Sequence, residues 1–237
     1  TCSEWCHCQR DVWMLCPALA AVSIRHASLG VTCGKNRYLR SLLEGLCWGG
    51  AVWLKPHVVI PGVLVCAVSL RFLPRRSLII PDVLGLLTGG LIMGGLGVSW
   101  MHWAECWSAF LETLWDWNPA YFRAGRAHWT LARYVAMTLR QGPWSLLHLI
   151  AMFLTLRLLV KQIRQRDGSS AAVVVTMLAA LYVGWMVQAL YLQHLFDYIH
   201  APTVLLALLL IAAQTLQASP RRLWVPAAWA SFALLAV

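Results

Sequence analysis

Lys55-Pro56-His57 is the sharpest chemical signal in the sequence, a cation, a turn-former and an imidazole set between the apolar runs 41–54 and 58–70. An ammonium at the centre of a bilayer costs roughly 3 kcal/mol, so it pairs or acts; at an interface the same side chain snorkels to water. An anionic ligand would favour all three residues. A second group, Arg10 and Asp11 with Glu4 and His7, precedes the first apolar run. A third is His194, Asp197 and His200, spaced by three before Pro202. On one helical turn these either share a proton or cap the segment. Cys2, Cys6 and Cys8 around His7 are open to a metal or to a disulfide, but their spacing matches no familiar zinc pattern. Cys16, Cys47 and Cys66, inside apolar runs, read as small core residues. Gly89-Gly90 and Gly94-Gly95 on one run read as close helix packing.

The elements that must position these residues follow from composition. Hydrophobic residues make up 60% of the chain and charged residues 12%, and the mean hydropathy is +0.65; a soluble domain carries about a quarter charged residues. The apolar residues come in blocks of helical length, so the fold class expected is all-α, a polytopic transmembrane helix bundle. A barrel needs alternating polarity, which 204–213 lacks. The net charge of +10 does not point to nucleic acid, because it follows topology. Arg25, Lys35, Arg37 and Arg40 fall in one connection, Arg71, Arg75 and Arg76 in a second, Arg157, Lys161, Arg164 and Arg166 in a third, Arg221 and Arg222 in a fourth. The positive-inside rule makes these cytoplasmic. Spans then run inward over 12–24, outward over 82–103, inward over 144–159, outward over 171–192, inward over 203–216 and outward from 223. Basic flanks on both sides of 41–70 predict a short hairpin turning at Lys55-Pro56. The competitor, one helix kinked at Pro56 and Pro61, would put Arg71, Arg75 and Arg76 outside.

The outer face then receives 1–11, the Lys55 turn, the loop 104–143 and the turn 193–202, with many of the 14 tryptophans. Within 104–143, an amphipathic helix over 104–115 is expected to end at Asp116-Trp117-Asn118-Pro119, because a residue before proline disfavours helix. A second, near 128–139, carries Arg126, Arg133 and Arg140 at the membrane surface.

Gly49-Gly50-Ala51-Val52-Trp53-Leu54-Lys55-Pro56-His57 resembles the hairpin of polytopic bacterial glycosyltransferases of the GT-C superfamily. Gln9-Arg10-Asp11 before the first span is similar to the same proteins, as are Trp117-Asn118-Pro119-Ala120-Tyr121 and the 193–202 turn. The resemblance implies an enzyme of the inner (plasma) membrane that moves a sugar from a polyprenyl-phosphate carrier to an acceptor on the extracytoplasmic side. It implies a carboxylate that takes the acceptor proton and cations that hold the leaving phosphate. Asp11 is the local choice for the base, and Arg10, Lys55 and His57, with Asp197 and His200, for the substrate. The family's acidic residue lies in a first outer loop after a first span, so the base is expected either upstream of this sequence or at Asp11. The sequence is read as a single transmembrane domain cut from something longer at both ends. No cofactor is assigned, and a divalent metal stays open. The expected partners are the lipid-linked sugar and membrane lipid, with no nucleic acid. Two other classes stand beside this one, a noncatalytic polytopic membrane subunit and a transporter or flippase; no internal repeat supports the latter.

Overall fold

A computed structural model describes residues 10–126, 130–140, 142–165, 167–192 and 200–218. Every regular element among them is helical. In chain order these are the turn α1 (Arg10–Trp13), α2 (Leu15–Ser28), α3 (Gly34–Leu54), α4 (Val59–Ser69), α5 (Ile79–Trp103), α6 (Trp107–Glu112), α7 (Asn118–Arg126), α8 (Leu131–Arg140), α9 (Pro143–Gln165), α10 (Ser170–Leu192) and α11 (Ala201–Ala218). Three stretches, Arg76–Trp103, Trp144–Gln165 and Ser170–Leu192, are long and apolar enough to cross a membrane. Their outward surfaces are hydrocarbon: Leu84, Leu91 and Leu96 on α5 and Leu149, Phe153 and Ile163 on α9 are exposed. A contiguous apolar exterior of this kind suits lipid.

The path of the chain turns on Lys55. Pro56 has no N–H and disfavours helical backbone at the residue before it, and Lys55 accordingly adopts an extended conformation (φ −156°, ψ 118°) between α3 and the 3₁₀ turn Pro56–Val58. The chain then returns along itself. The Trp48 ring lies 3.2 Å from where a Cβ on Gly62 would sit, and Cys66 Sγ lies 3.7 Å from Glu44 Oε1; each pair straddles Lys55 symmetrically, as antiparallel arms require. The kinked single helix is thereby excluded.

After α4, helix α5 runs parallel to α3. Tyr38 Oη donates to Thr88 Oγ1 at 3.3 Å near one end, and Trp53 Nε1 donates to the Met93 carbonyl at 3.0 Å near the other. The two helices touch backbone to backbone: a Cβ on Gly85 would strike the Tyr38 carbonyl, and one on Gly89 the Leu42 carbonyl. The four-residue spacing of Gly45 and Gly49 on α3 and of Gly85 and Gly89 on α5 is the small-xxx-small geometry. Gly89 thus packs as expected, whereas Gly90, Gly94 and Gly95 have no atom within 4 Å of an added Cβ. A similar close approach seats Gly184 of α10 on Pro61 of α4.

The ends of the bundle differ. Arg71 Nη2 donates to the Gln162 carbonyl at 2.9 Å, and His26 Nε2 lies 2.9 Å from Ser170 Oγ. These contacts gather the α2–α3, α4–α5 and α9–α10 connections at one end, with Lys35, Arg40, Arg75, Arg76 and Arg164. The Lys55 turn and the C-terminal ends of α5 and α10 lie at the other. There Tyr134 Oη of α8 donates to the Leu190 carbonyl at 3.5 Å.

One local expectation fails. The helix does not stop ahead of Pro119 but widens into a π turn, Thr113–Trp117, and resumes as α7. Proline is tolerated in a first helical turn because that N–H has no partner to lose; Pro119 is the second residue of α7, so helix is broken in register without being ended.

Candidate functional site

Between the α3–α5 pair and α4 lies a cavity of about 1500 Å³. Its floor is α3 (Gly45, Trp48, Gly49, Val52), its walls are α4 (Val59, Val63, Cys66, Ala67) and α5 (Val83, Leu86, Leu87, Gly90), and its roof is the α6–α7 arm. Val59, Val63, Val83 and Leu87 line it and are also exposed, so it is a groove with an open side facing the surroundings of the bundle. From Gly45 to Lys55 along α3 it extends about 15 Å at 1.5 Å per residue. Gly90 and Gly94, where an added Cβ would meet nothing within 4 Å, are part of its wall.

Among the described residues that line it, charge is confined to one end. Lys55 and His57 line the groove together with Thr113, Asn118 and Tyr121. Trp53 sets that end: its indole fills the space over Gly97, donates to the Met93 carbonyl and meets the Phe110 ring at a tilt, centroids 6.2 Å apart, which fixes α3 two residues before Lys55. No carboxylate is among the described residues that line the groove. The site is therefore a long apolar slot with a cationic, hydrogen-bonding head, a shape for a molecule whose tail is hydrocarbon and whose head is anionic.

The residues expected to form a site from sequence alone are divided by the structure. Lys55 and His57 come together, and Asn118 and Tyr121 join them. Arg10 and Asp11 fall in α1, near α3 and α11, with side chains outside the described atoms; Asp197, His194, Glu4, His7, Cys2, Cys6 and Cys8 lie outside the described residues. His200 does not line the groove. It is buried beside His148, ring centroids 6.4 Å apart, and His148 Nδ1 lies 3.1 Å from Tyr182 Oη. Among the described residues no group of three metal-ligating side chains converges.

Sequence reasoning also missed a cluster below the groove. Arg25 and Arg37, read above as loop charges, are 0% exposed, as are Glu44 and Asp82. Arg25 Nε donates to Glu44 Oε1 at 2.9 Å and its Nη1 to Asp82 Oδ2 at 2.6 Å. Arg37 Nε donates to Asp82 Oδ1 at 2.7 Å and its Nη1 to the Ser28 carbonyl at 2.7 Å. The Ser41 hydroxyl donates to Asp82 and the Trp48 indole to Glu44. Two cations and two carboxylates from α2, α3 and α5 thus neutralise one another. Arg25 Nη2 also reaches Cys66 Sγ on α4 at 3.4 Å, so Cys66 is a polar contact and not only a small core residue; Cys16, likewise read as core, is exposed. The signal was available: Glu44 and Asp82 are acidic residues in otherwise apolar helices, and such residues seek partners.

No protein-family model, curated protein or solved structure matches the chain.

Proposed function

We propose that the protein is a membrane glycosyltransferase that takes a sugar from a polyprenyl-phosphate carrier and gives it to an acceptor at the Lys55 end of the bundle. The observation that carries this reading is the groove itself, apolar for about three turns of α3 and cationic at one end only. The isoprenoid tail lies between α4 and α5, and the phosphate meets Lys55 and His57. In the reaction the bond between the sugar's anomeric carbon and the phosphate oxygen breaks, the acceptor oxygen bonds that carbon, and the acceptor's proton passes to a carboxylate. The phosphate gains charge as its bond breaks, so a fixed ammonium favours the transition state over the ground state. The base is assigned to Asp11.

Sidedness is read from the basic connections at the opposite end: on the positive-inside rule we propose that this end faces the cytoplasm and the groove's polar end the outside of the inner membrane. Of the glycines that would suit a purely structural subunit, Gly89 is occupied within the chain, whereas Gly90, Gly94 and Gly95 are open to an added Cβ. The test is transfer from a radiolabelled polyprenyl-phosphate sugar by membranes holding equal amounts of full-length wild-type and Lys55→Ala protein. The expected loss is about 10² to 10³ in rate with insertion intact, and Lys55→Arg restores only part, since a planar fork places its charge elsewhere. Near-normal transfer by Lys55→Ala would overturn the reading.

A further inference from the structure

We infer that Asn118 and Thr113, on the roof of the groove, bind the hydroxyl groups of the neutral sugar that the lipid carrier bears. The inference rests on the reading above and deepens it: Lys55 and His57 take the phosphate, and the roof takes what the phosphate carries.

The first observation is a change of register along the arm. In a continuous α-helix one face recurs every seven residues, so the groove face that begins with Phe110, Thr113 and Leu114 would be continued by Trp117, Ala120 and Tyr121. The residues that continue it are instead Asn118, Tyr121 and Phe122, a spacing of eight. The extra residue is absorbed in the π turn Thr113–Trp117, where the N–H of Asn118 donates to the Thr113 carbonyl five residues back. A proline ring inside an α-helix strikes the carbonyl four residues before it, here that of Trp115, and the wider turn relieves that conflict at Pro119. The result is an exchange of side chains at the polar end. Trp117 is 68% exposed and does not line the groove, and Asn118 takes the inward place.

The second observation is the chemistry of the inward strip. The Thr113 hydroxyl donates to the Ala109 carbonyl at 2.8 Å, so what it offers the groove is oxygen lone pairs. The Asn118 carboxamide, one π turn further on, carries two donors and an acceptor. A sugar presents adjacent hydroxyls that each donate and accept, and this pair of residues answers both roles. Neither residue carries a charge, so the strip suits a neutral sugar and leaves the hold on the phosphate to Lys55 and His57. Floor and roof thereby divide the head of one ligand between them.

The test uses the full-length protein in nanodiscs loaded with equal amounts of a polyprenyl phosphate and of the same carrier bearing glucose, mannose or galactose, with retained lipid read by native mass spectrometry. The readout is the ratio of sugar-bearing to bare carrier for the best-retained sugar. Asn118→Ala should lower that ratio by about threefold to tenfold, the loss expected from an uncharged hydrogen bond, with retention of the bare carrier unchanged, which also shows that the variant is folded. Thr113→Val should lower the ratio by a smaller factor, and Lys55→Ala should lower retention of both carriers together. Trp117→Ala, at the position that a continuous helix would turn inward, should leave the ratio at its wild-type value. An unchanged ratio in Asn118→Ala, an equal fall for both carriers, or a fall caused by Trp117→Ala in its place would overturn the inference while the phosphate site stands. A wild type that retains neither carrier saturably would remove the phosphate site, and the inference with it.

Discussion

Two ends of the same helix pair handle cations in opposite ways. At the lower end of α3 and α5, Arg25 and Arg37 are enclosed with Glu44 and Asp82, and every charge finds its opposite within 2.9 Å. At the upper end, Lys55 and His57 face a groove whose described lining is otherwise neutral and mostly apolar. The first arrangement closes a bundle; the second, on the reading proposed above, is where an anion is received. Charge in an apolar setting marks a joint where it is enclosed by the packed helices, and on that reading a site where it lines an open groove.

That contrast is most easily broken at Asp82. Asp82→Ala leaves two buried guanidinium groups short of a carboxylate, a change that typically costs about 3–5 kcal/mol. Chemical or thermal unfolding of the purified protein should show it as a large loss, whereas Lys55→Ala should shift the same curve by less than about 1 kcal/mol. Equal losses from the two substitutions would erase the distinction between joint and site.

The packing beneath the contrast can be probed next. Gly85→Val drives a side chain into the Tyr38 carbonyl, and overpacking of this kind costs about 1–3 kcal/mol. Gly95→Ala meets nothing within 4 Å and should stay within about 1 kcal/mol of wild type. The smallest effect belongs to the α9–α10 connection at the basic end. There the backbone N–H of Ser169, 2.9 Å from Asp167 Oδ1, holds that exposed carboxyl below its usual range. A depressed folded value contributes stability above the ordinary carboxylate pKa of about 4, lost as pH falls through the depressed value. Asp167→Asn should accordingly lower the unfolding midpoint slightly at neutral pH and match wild type in acid.

The parts of this structure legible in the sequence are those governed by local chemistry. The break at Lys55-Pro56 follows from a proline's demand on its neighbour, and the return of the chain from the basic residues on both flanks. Lys55 and His57 stand out in the sequence by residue type, and Asn118, Pro119 and Tyr121 by the motif they belong to; all five line the groove. Hidden from the sequence were features that join distant positions. Arg25 meets Glu44 across 19 residues and Asp82 across 57, so a basic count of the α2–α3 connection includes two charges already neutralised elsewhere. Asp82 read as the start of a span because the apolar run follows it, yet α5 begins at Ile79 and carries it inward. The register of Gly85 and Gly89 against α3 depends on which face of α5 turns inward, and a run apolar all round does not disclose that.

The central claim is that the groove between α4 and α5 holds the hydrocarbon of a lipid whose phosphate lies at Lys55. It is tested most directly with a polyprenyl phosphate carrying a photoreactive diazirine on its tail, crosslinked to the full-length protein in membranes and mapped by mass spectrometry. The account predicts labels concentrated on Val63 and Ala67 of α4 and on Val83 and Leu87 of α5, competed by unlabelled polyprenyl phosphate and weakened by Lys55→Ala. Labels spread equally over these positions and over Leu149, Phe153 and Leu156 on the outer surface of α9, with no competition, would contradict it.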